Sequence, residues 1–417
     1  TPWYLRLLRD EGEAAERLAR LLASSRYLAD LFVRAPDSVR LLADDDELRP
    51  RTRDQLETAF GSVARQRESA ELAVAAVRSL RRHELLRIAG ADLLGLASDV
   101  GQALSDVSAA AVSAALEVAV RKVEVERRAT VPARLAVVAM GRLGGGEQGY
   151  GSDVDVLFVH EARDGAREPE AAAAAHDVAN ELRRLLSLPA PDPPLLVDAD
   201  LRPEGRQGPL TRSLGSYAAY YKRWAQVWES QALLRAAPLA GDPDVAVAFL
   251  EAVDPVRYPE GGLTQEQLVE VRRIKARVET ERLPKGADPT LALKLGRGGL
   301  ADVEWTVQLL QLQHGFAVPG LRTPRTLPAL AAAVEAGLLA EDDATMLRQA
   351  WELTTKVRNA LVLVRGKPVA TLPTGGSDLA GVARALGYPA GAQGDFLDEF
   401  RRVTRRARLV HEQAFYQ

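Results

Sequence analysis

The chain has 417 residues, a formal net charge of −3, 47% hydrophobic and 27% charged residues, and no cysteine. This is an ordinary soluble globular mixture, enough for two to four domains at roughly 100–200 residues each. It excludes disulfides, thiol catalysis and thiolate metal sites, and it lacks the basic field that draws in nucleic acid.

Five histidines leave little for an imidazole zinc site. No basic, apolar leader opens the chain, and no apolar run approaches the roughly 20 residues of a membrane helix. A soluble, cytoplasmic protein with no nucleic-acid or membrane partner is expected. The start at Thr1 without a methionine reads as a piece of a longer protein.

Residues 1–126 form the first expected region, helical throughout. Leu18, Leu21, Leu22, then Leu28, Leu31 and Phe32, recur at helical spacing. The pattern continues from Ser69 to Ala97 and again from about Asp106 to Arg127. His83-Glu84 lacks the second histidine of a zinc-binding helix.

Residues 127–245 form the second region. Leu135–Met140 is a short buried-strand candidate, a glycine-rich segment follows, and Asp153–Val159 is a second strand. A helix is expected over about Pro169–Ser187, ended by the prolines at 189–194. Leu195–Leu201 is a third strand. Tyr217, Tyr220, Tyr221, Trp224 and Trp228 then fall along one helix face, with both tryptophans expected in the core.

Residues 246–417 form a third region, a helical bundle. Thr264-Gln-Glu-Gln267 is a capping box opening a helix to about Leu283. Further helices are expected over about 300–313, 328–336 and 342–364, with a last one ending near Phe415. The fold class is α+β, predominantly helical, with a small mixed sheet between helical flanks.

Side chains alternate across a strand, so Asp153 and Asp155 share one face while Val154, Val156 and Phe158 take the other. In the third strand Asp198 and Asp200 share a face. Pairing of the two strands brings carboxylates together, tolerable with cations between them. Oxygen-only ligands favour magnesium or manganese over zinc, and two such ions suit in-line attack on phosphorus. Asp153, Asp155 and Asp198 are thus the candidate catalytic residues and metal ligands.

The segment Gly141-Arg-Leu-Gly-Gly-Gly-Glu-Gln-Gly-Tyr-Gly-Ser152 complements them. Its glycines let backbone N–H groups approach a polyphosphate. Gly141, Arg142, Gly144, Gly145 and Ser152 are candidate nucleotide contacts. No Gly-Lys-Ser/Thr closes the segment, and a strand follows it rather than a helix, so neither a Walker A loop nor a dinucleotide fingerprint fits.

Further candidates are more open. Arg202 could steady a triphosphate or form a surface salt bridge. Arg235 could reach the nucleotide. Lys294 and Arg297 flank a glycine turn at a helix start, where an anion or a plain helix entry would both fit. Asp302 and Glu304 could touch metal, but positions i and i+2 do not share a helix face, so one of them is structural.

Gly141, eleven residues, then Asp153-Val-Asp155 resembles the signature of the nucleotidyltransferase superfamily that includes polymerase β. The longer string Met140–Asp155 resembles glutamine synthetase adenylyltransferases, which add AMP to glutamine synthetase and remove it. So do Val197-Asp-Ala-Asp-Leu-Arg-Pro203, Trp228–Arg235, Lys294–Trp305 and Arg82–Ile88. The resemblance implies a polymerase-β-like core, ATP as substrate, magnesium as cofactor, and a tyrosine of glutamine synthetase as acceptor. On it, Asp198 with one magnesium favours the phenolate, which attacks the α-phosphorus of ATP as pyrophosphate leaves. It also implies a PII signalling protein and glutamine as effectors.

That family has two similar halves, one adenylylating and one releasing AMP as ADP by phosphorolysis. This chain carries one such unit, a fragment of a two-half protein. Gly149-Tyr-Gly-Ser-Asp153 resembles the C-terminal, adenylylating half, where the other half has Asn-Phe-Ser-Ser-Asp. The deadenylylating half and a non-catalytic helical module are the alternatives. The chain departs from the family at Gln148, often Leu, and at Asp200, often Arg.

Overall fold

A computed structural model describes residues 9, 12–283 and 285–416. Residues 1–8, 10, 11, 284 and 417, including the start of the helical stretch expected over 1–126, lie outside the described residues. The chain falls into two units, one spanning residues 34–256 and the other residues 12–33 and 257–416. Helices between residues 35 and 127 share the first unit with the sheet.

Helices α1 (Gly12–Ser24) and α2 (Arg26–Arg34) come first in the chain and lie in the second unit. The first unit runs through α3 (Arg53–Arg65), α4 (Ala70–Leu94), α5 (Val100–Arg127), β1 (Ala133–Ala139), β2 (Val154–Ala162), α6 (Glu168–Ser187), β3 (Val197–Asp198), β4 (Thr211–Ser213), α7 (Leu214–Trp224), α8 (Val227–Leu233), β5 (Ala237–Gly241) and α9 (Pro243–Arg257).

Local chemistry sets the helix ends. Thr52 and Gln55 form a capping box on α3, the Ser69 side chain caps α4, and Asp99 caps α5. Each cap satisfies backbone donors that the helix itself leaves open. Helix α4 stops at Gly95, whose φ of 77° is left-handed. Helix α5 is long and apolar enough to cross a membrane, contrary to the sequence-based expectation of no such run. Its apolar surface is instead mostly buried, against α3, α4 and α6.

The sheet has five strands in the order β3-β2-β1-β5, with β4 also pairing with β2. Strands β1 and β2 are antiparallel, with Ala136 opposite Val159 and Val138 opposite Leu157. Strand β3 lies parallel to the start of β2, and β4 parallel to its end. On one face Ala136, Val138, Leu157 and Val159 pack with Tyr217, Tyr221, Leu233 and Phe249. Helix α6 covers β1 and β2 as well.

The third strand, expected over 195–201, is only Val197–Asp198. The Asp198 side chain accepts the Asp200 N–H at 2.7 Å, which bends the chain out of the strand. Strands β4 and β5 were not expected, the latter in a stretch read as helical; β5 is short, contains Pro238 and sits at the sheet edge, where proline is tolerated. The aromatic run is split between α7 and α8. Trp224 therefore leaves the core and is 60% exposed, with the Arg223 guanidinium over its ring.

The second unit is helical: α1, α2, α10 (Gln265–Glu281), α11 (Leu300–His314), α12 (Thr326–Glu335), α13 (Glu341–Arg365), α14 (Gly376–Ala385) and α15 (Gln393–Tyr416). The capping box at Thr264 and Gln267 opens α10 as expected. Helix α14 was not expected; with glycine at 375, 376 and 381, its sequence carries a weak helical signal. Val357, Leu361, Leu379, Phe396 and Phe400 form one core, and Val303, Val307, Leu330, Leu347 and Ala407 another.

Candidate active site

The site grows from the junction of β1 and β2. Gly141 follows closely on the end of β1 and has a φ of 55°, where only glycine rests without penalty. A Cβ at this position would overlap the Asp155 carboxylate. The Met140 N–H donates to the Asp155 carbonyl at 2.8 Å. The loop is thereby fastened to β2 beside Asp155.

Gly141–Gly144 make one helical turn, closed by the Gly144 N–H on the Met140 carbonyl at 3.0 Å. Gly144 lies against the carbonyls of Arg235 and Ala139, with no room for a side chain. The Gly145 N–H donates to the Gly141 carbonyl at 3.3 Å. The Arg142 Nε donates to the Glu147 carbonyl at 2.6 Å, tying the turn to the next stretch of loop.

That stretch is buried and braced. Glu147 and Arg235 pair at 2.7 Å with side chains 5% and 7% exposed. The Gln148 amide donates to the Asp153 carbonyl at 3.0 Å, and the Tyr150 hydroxyl to Asp92 on α4 at 3.0 Å. The Gly149 N–H donates to the Ser152 hydroxyl oxygen at 3.0 Å, closing the turn before Asp153.

Asp155 pairs directly with Asp198 in the parallel register of β2 and β3. Neighbouring strands are about 4.8 Å apart, so the two residues stand abreast on one face. That face is the one bearing Leu157 and Val159, so the carboxylates begin where its apolar row ends. Asp153 stands exposed, one residue before β2.

Charge pairing separates Asp198 from Asp200. Asp200 meets Arg206 at 2.5 Å and Arg202 at 3.6 Å. Among the described residues, Asp153 and Asp198 have no ion pair. Two carboxylates abreast repel unless a cation lies between them. An all-oxygen donor set of this kind fits a hard divalent ion such as magnesium or manganese.

The other candidates go to different places. Arg202 is buried and donates to the carbonyls of Ala199, Arg206 and Gly208, holding the turn that follows β3. Arg235 is engaged with Glu147. Lys294 and Arg297 are exposed in the turn before α11, in the second unit.

Asp302 is buried in that unit. It accepts from Lys275 at 2.6 Å, Arg408 at 3.1 Å and the Gly298 N–H at 2.7 Å. Glu279, Asp302 and His411 are close enough to hold a metal. Lys275 and Arg408 already bring two positive charges to both carboxylates there. The cluster is an internal salt-bridge network.

The brace of Glu147 on Arg235 escapes a reading of the sequence, because 88 positions separate the partners. The one signal is a glutamate, a glutamine and a tyrosine set inside an otherwise glycine-rich loop.

Residues 15–252 match the glutamate–ammonia ligase adenylyltransferase family, and residues 272–415 match the GlnD PII-uridylyltransferase family. A bifunctional glutamine synthetase adenylyltransferase/adenylyl-removing enzyme of Streptomyces avermitilis is 55% identical over 435 residues, covering 100% of this chain and 43% of the relative. Proteins of the same description from Streptomyces coelicolor and Mycobacterium tuberculosis are 54% and 50% identical, covering 100% and 99% of this chain and 43% and 42% of the relatives. The chain thus spans under half the length of the curated relatives it matches.

Proposed function

The chain belongs to the glutamate–ammonia ligase adenylyltransferase family, and from that membership we propose that its first unit moves AMP from ATP to a tyrosine hydroxyl of glutamine synthetase, releasing pyrophosphate. The observation that carries this reading is the pairing of Asp155 with Asp198 on adjacent parallel strands, with Gly141 seated against Asp155.

Asp153, Asp155 and Asp198 would hold magnesium, which supplies positive charge against the triphosphate and lowers the barrier to displacement at phosphorus. Gly141, Gly144 and Gly145 bring backbone close to the polyphosphate, and Ser152 fixes the turn that presents Asp153. Asp198 takes the proton of the incoming tyrosine hydroxyl, whose ordinary pKa near about 10 leaves it protonated at neutral pH. The phenolate oxygen bonds to the α-phosphorus. The bond from that phosphorus to the bridging oxygen breaks, and pyrophosphate leaves with the electron pair. Arg202 and Arg235 act through the scaffold, by holding the turn after β3 and the glycine loop.

The direction of the reaction rests on Gly149-Tyr150-Gly151-Ser152. Gly151 has a φ of 71°, a conformation that the serine of the other half's sequence enters only at a cost. The Tyr150 hydroxyl bond to Asp92 has no counterpart with phenylalanine. Both features support the adenylylating reading. By resemblance, a PII signalling protein and glutamine are the proposed effectors.

The test is Asp153→Asn, assayed for AMP transfer to glutamine synthetase with ATP and magnesium. Asp153 is exposed, so the variant is expected to keep the fold, which a melting curve checks. Transfer is expected to vanish, and near-normal transfer would overturn the assignment.

A further inference from the structure

A second feature of the first unit lies away from the carboxylates, on α4. One set of arginines on this helix holds the loop leading into β3. Arg78 donates to the Leu188 carbonyl, Arg81 to the Pro193 carbonyl at 2.9 Å, and Arg82 to Asp192 at 2.5 Å. His83, Glu84 and Arg87 on the same helix instead line a cavity of about 460 Å³.

Four arginines line this cavity: Arg40, Arg51, Arg67 and Arg87. Two carboxylates, Asp37 and Glu84, oppose them, so four positive charges less two negative leave a surplus of two. Glu84 is buried and already shared, accepting from Arg87 at 3.0 Å and forming an ion pair with Arg51 at 3.1 Å. Glu47 reaches Arg87 only at 3.9 Å and from an exposed position. Arg40 and Arg67 are exposed and, among the described residues, have no ion pair.

Arg87 is a buried cation, its side chain 6% exposed. Burial pulls its pKa below the ordinary arginine value, with Glu84 opposing the shift. A cation held out of water in this way gains from an incoming anion. The guanidinium fork pairs two N–H groups with two phosphate oxygens. Leu41, Ala76 and Leu80 give the cavity an apolar side as well.

We propose that this cavity binds a small phosphate-bearing dianion, gripped by Arg40 and Arg67 at the mouth and by Arg51 and Arg87 inside. The dianion matches the surplus of two charges. The cavity lies within the range of volumes, about 300–1,000 Å³, that takes a small organic ligand. The ligand is therefore inorganic phosphate or a phosphomonoester such as a nucleoside monophosphate. This site does not depend on the adenylyl-transfer reading.

Calorimetric titration of the whole chain tests this, at about pH 8 where phosphomonoesters are dianions, with EDTA present so that no metal-bound nucleotide forms. The probes are inorganic phosphate, AMP and adenosine. Ring resonances of the five histidines provide a second readout, with His83 as the reporter in the cavity. Saturable binding of phosphate points to the free ion, and of AMP alone to a nucleotide; either keeps the proposal. The His83 resonance should move with binding. The double variant Arg40→Ala/Arg67→Ala, at exposed positions, should weaken binding by at least ~10-fold, and Asp153→Asn should leave it unchanged. Adenosine binding as well as AMP would overturn the proposal. So would no saturation at tens of millimolar, or binding lost in Asp153→Asn but kept in the arginine variant.

Discussion

Replacing Gly141 with alanine separates the geometry of the site from the stability of the fold. Two costs arise at this position. An alanine at φ 55° is strained by about 1–2 kcal/mol. Its Cβ also overlaps the Asp155 carboxylate, so that carboxylate or the loop must move. A displacement of ~1 Å in a catalytic constellation costs on the order of 100-fold in rate, about 2.7 kcal/mol of barrier. The expected result is a loss of AMP transfer of about 100-fold or more. Thermal unfolding of a unit of this size should shift by only about 2–8 °C. The assay is the initial rate of label transfer from α-labelled ATP to glutamine synthetase, beside a melting curve. Gly95→Ala is the control, because Gly95 has a φ of 77° but open space within 4 Å of where a Cβ would sit. It should lose comparable stability and keep its activity. If Gly141→Ala transfers AMP within about threefold of the parent while losing the expected stability, the close approach to Asp155 has no catalytic meaning.

Three further outcomes follow from individual contacts. Glu147→Gln removes the buried negative charge that Arg235 pairs with and should destabilise the chain in urea unfolding by about 1–3 kcal/mol, whereas Glu147→Gln with Arg235→Met should recover most of it. Asp200→Asn should change transfer by less than about fivefold, since Asp200 forms a partly exposed ion pair; a larger loss would make it a functional carboxylate. His411 gives a pH signature in the second unit. The Thr306 hydroxyl donates to the Asp302 carbonyl, so it accepts from His411 Nδ1–H at 2.8 Å and fixes the neutral tautomer. Burial, opposed by Asp302, holds the His411 pKa down to about 4. The unfolded chain takes up this proton near pH 6.5 and the folded chain only near 4, so stability is full above 6.5 and falls as pH drops between these values. The loss is about 3 kcal/mol, and His411→Gln should flatten it in urea midpoints measured from pH 7 to 4; an unchanged slope would exclude His411 as its source.

The sequence made parts of this architecture legible and hid others for physical reasons. Asp153-Val-Asp155 after a glycine-rich turn announces itself because strand alternation and glycine freedom are local properties. The Thr264 capping box is legible for the same reason. The length of β3 is not, because Asp198 turns its own side chain onto the Asp200 N–H and ends the strand. Strand β5 exists only through its pairing with β1, a contact that no periodicity within Ala237–Gly241 reveals. Trp224 looks like a core residue until the break between α7 and α8 turns it outward. The roles of Arg202 and Arg235 were open from sequence, because a long basic side chain serves a phosphate or a carbonyl equally well, and only its neighbours decide.

The most direct test of the central reading is to identify products with the chain and its Asp198→Asn variant side by side. Each is given unmodified glutamine synthetase with ATP and magnesium, and separately adenylylated synthetase with phosphate. The account predicts pyrophosphate and a tyrosine-linked AMP from the parent in the first mixture, no ADP in the second, and neither product from a folded Asp198→Asn variant. ADP from the second mixture would reverse the assigned direction, and near-normal transfer by Asp198→Asn would contradict the site itself.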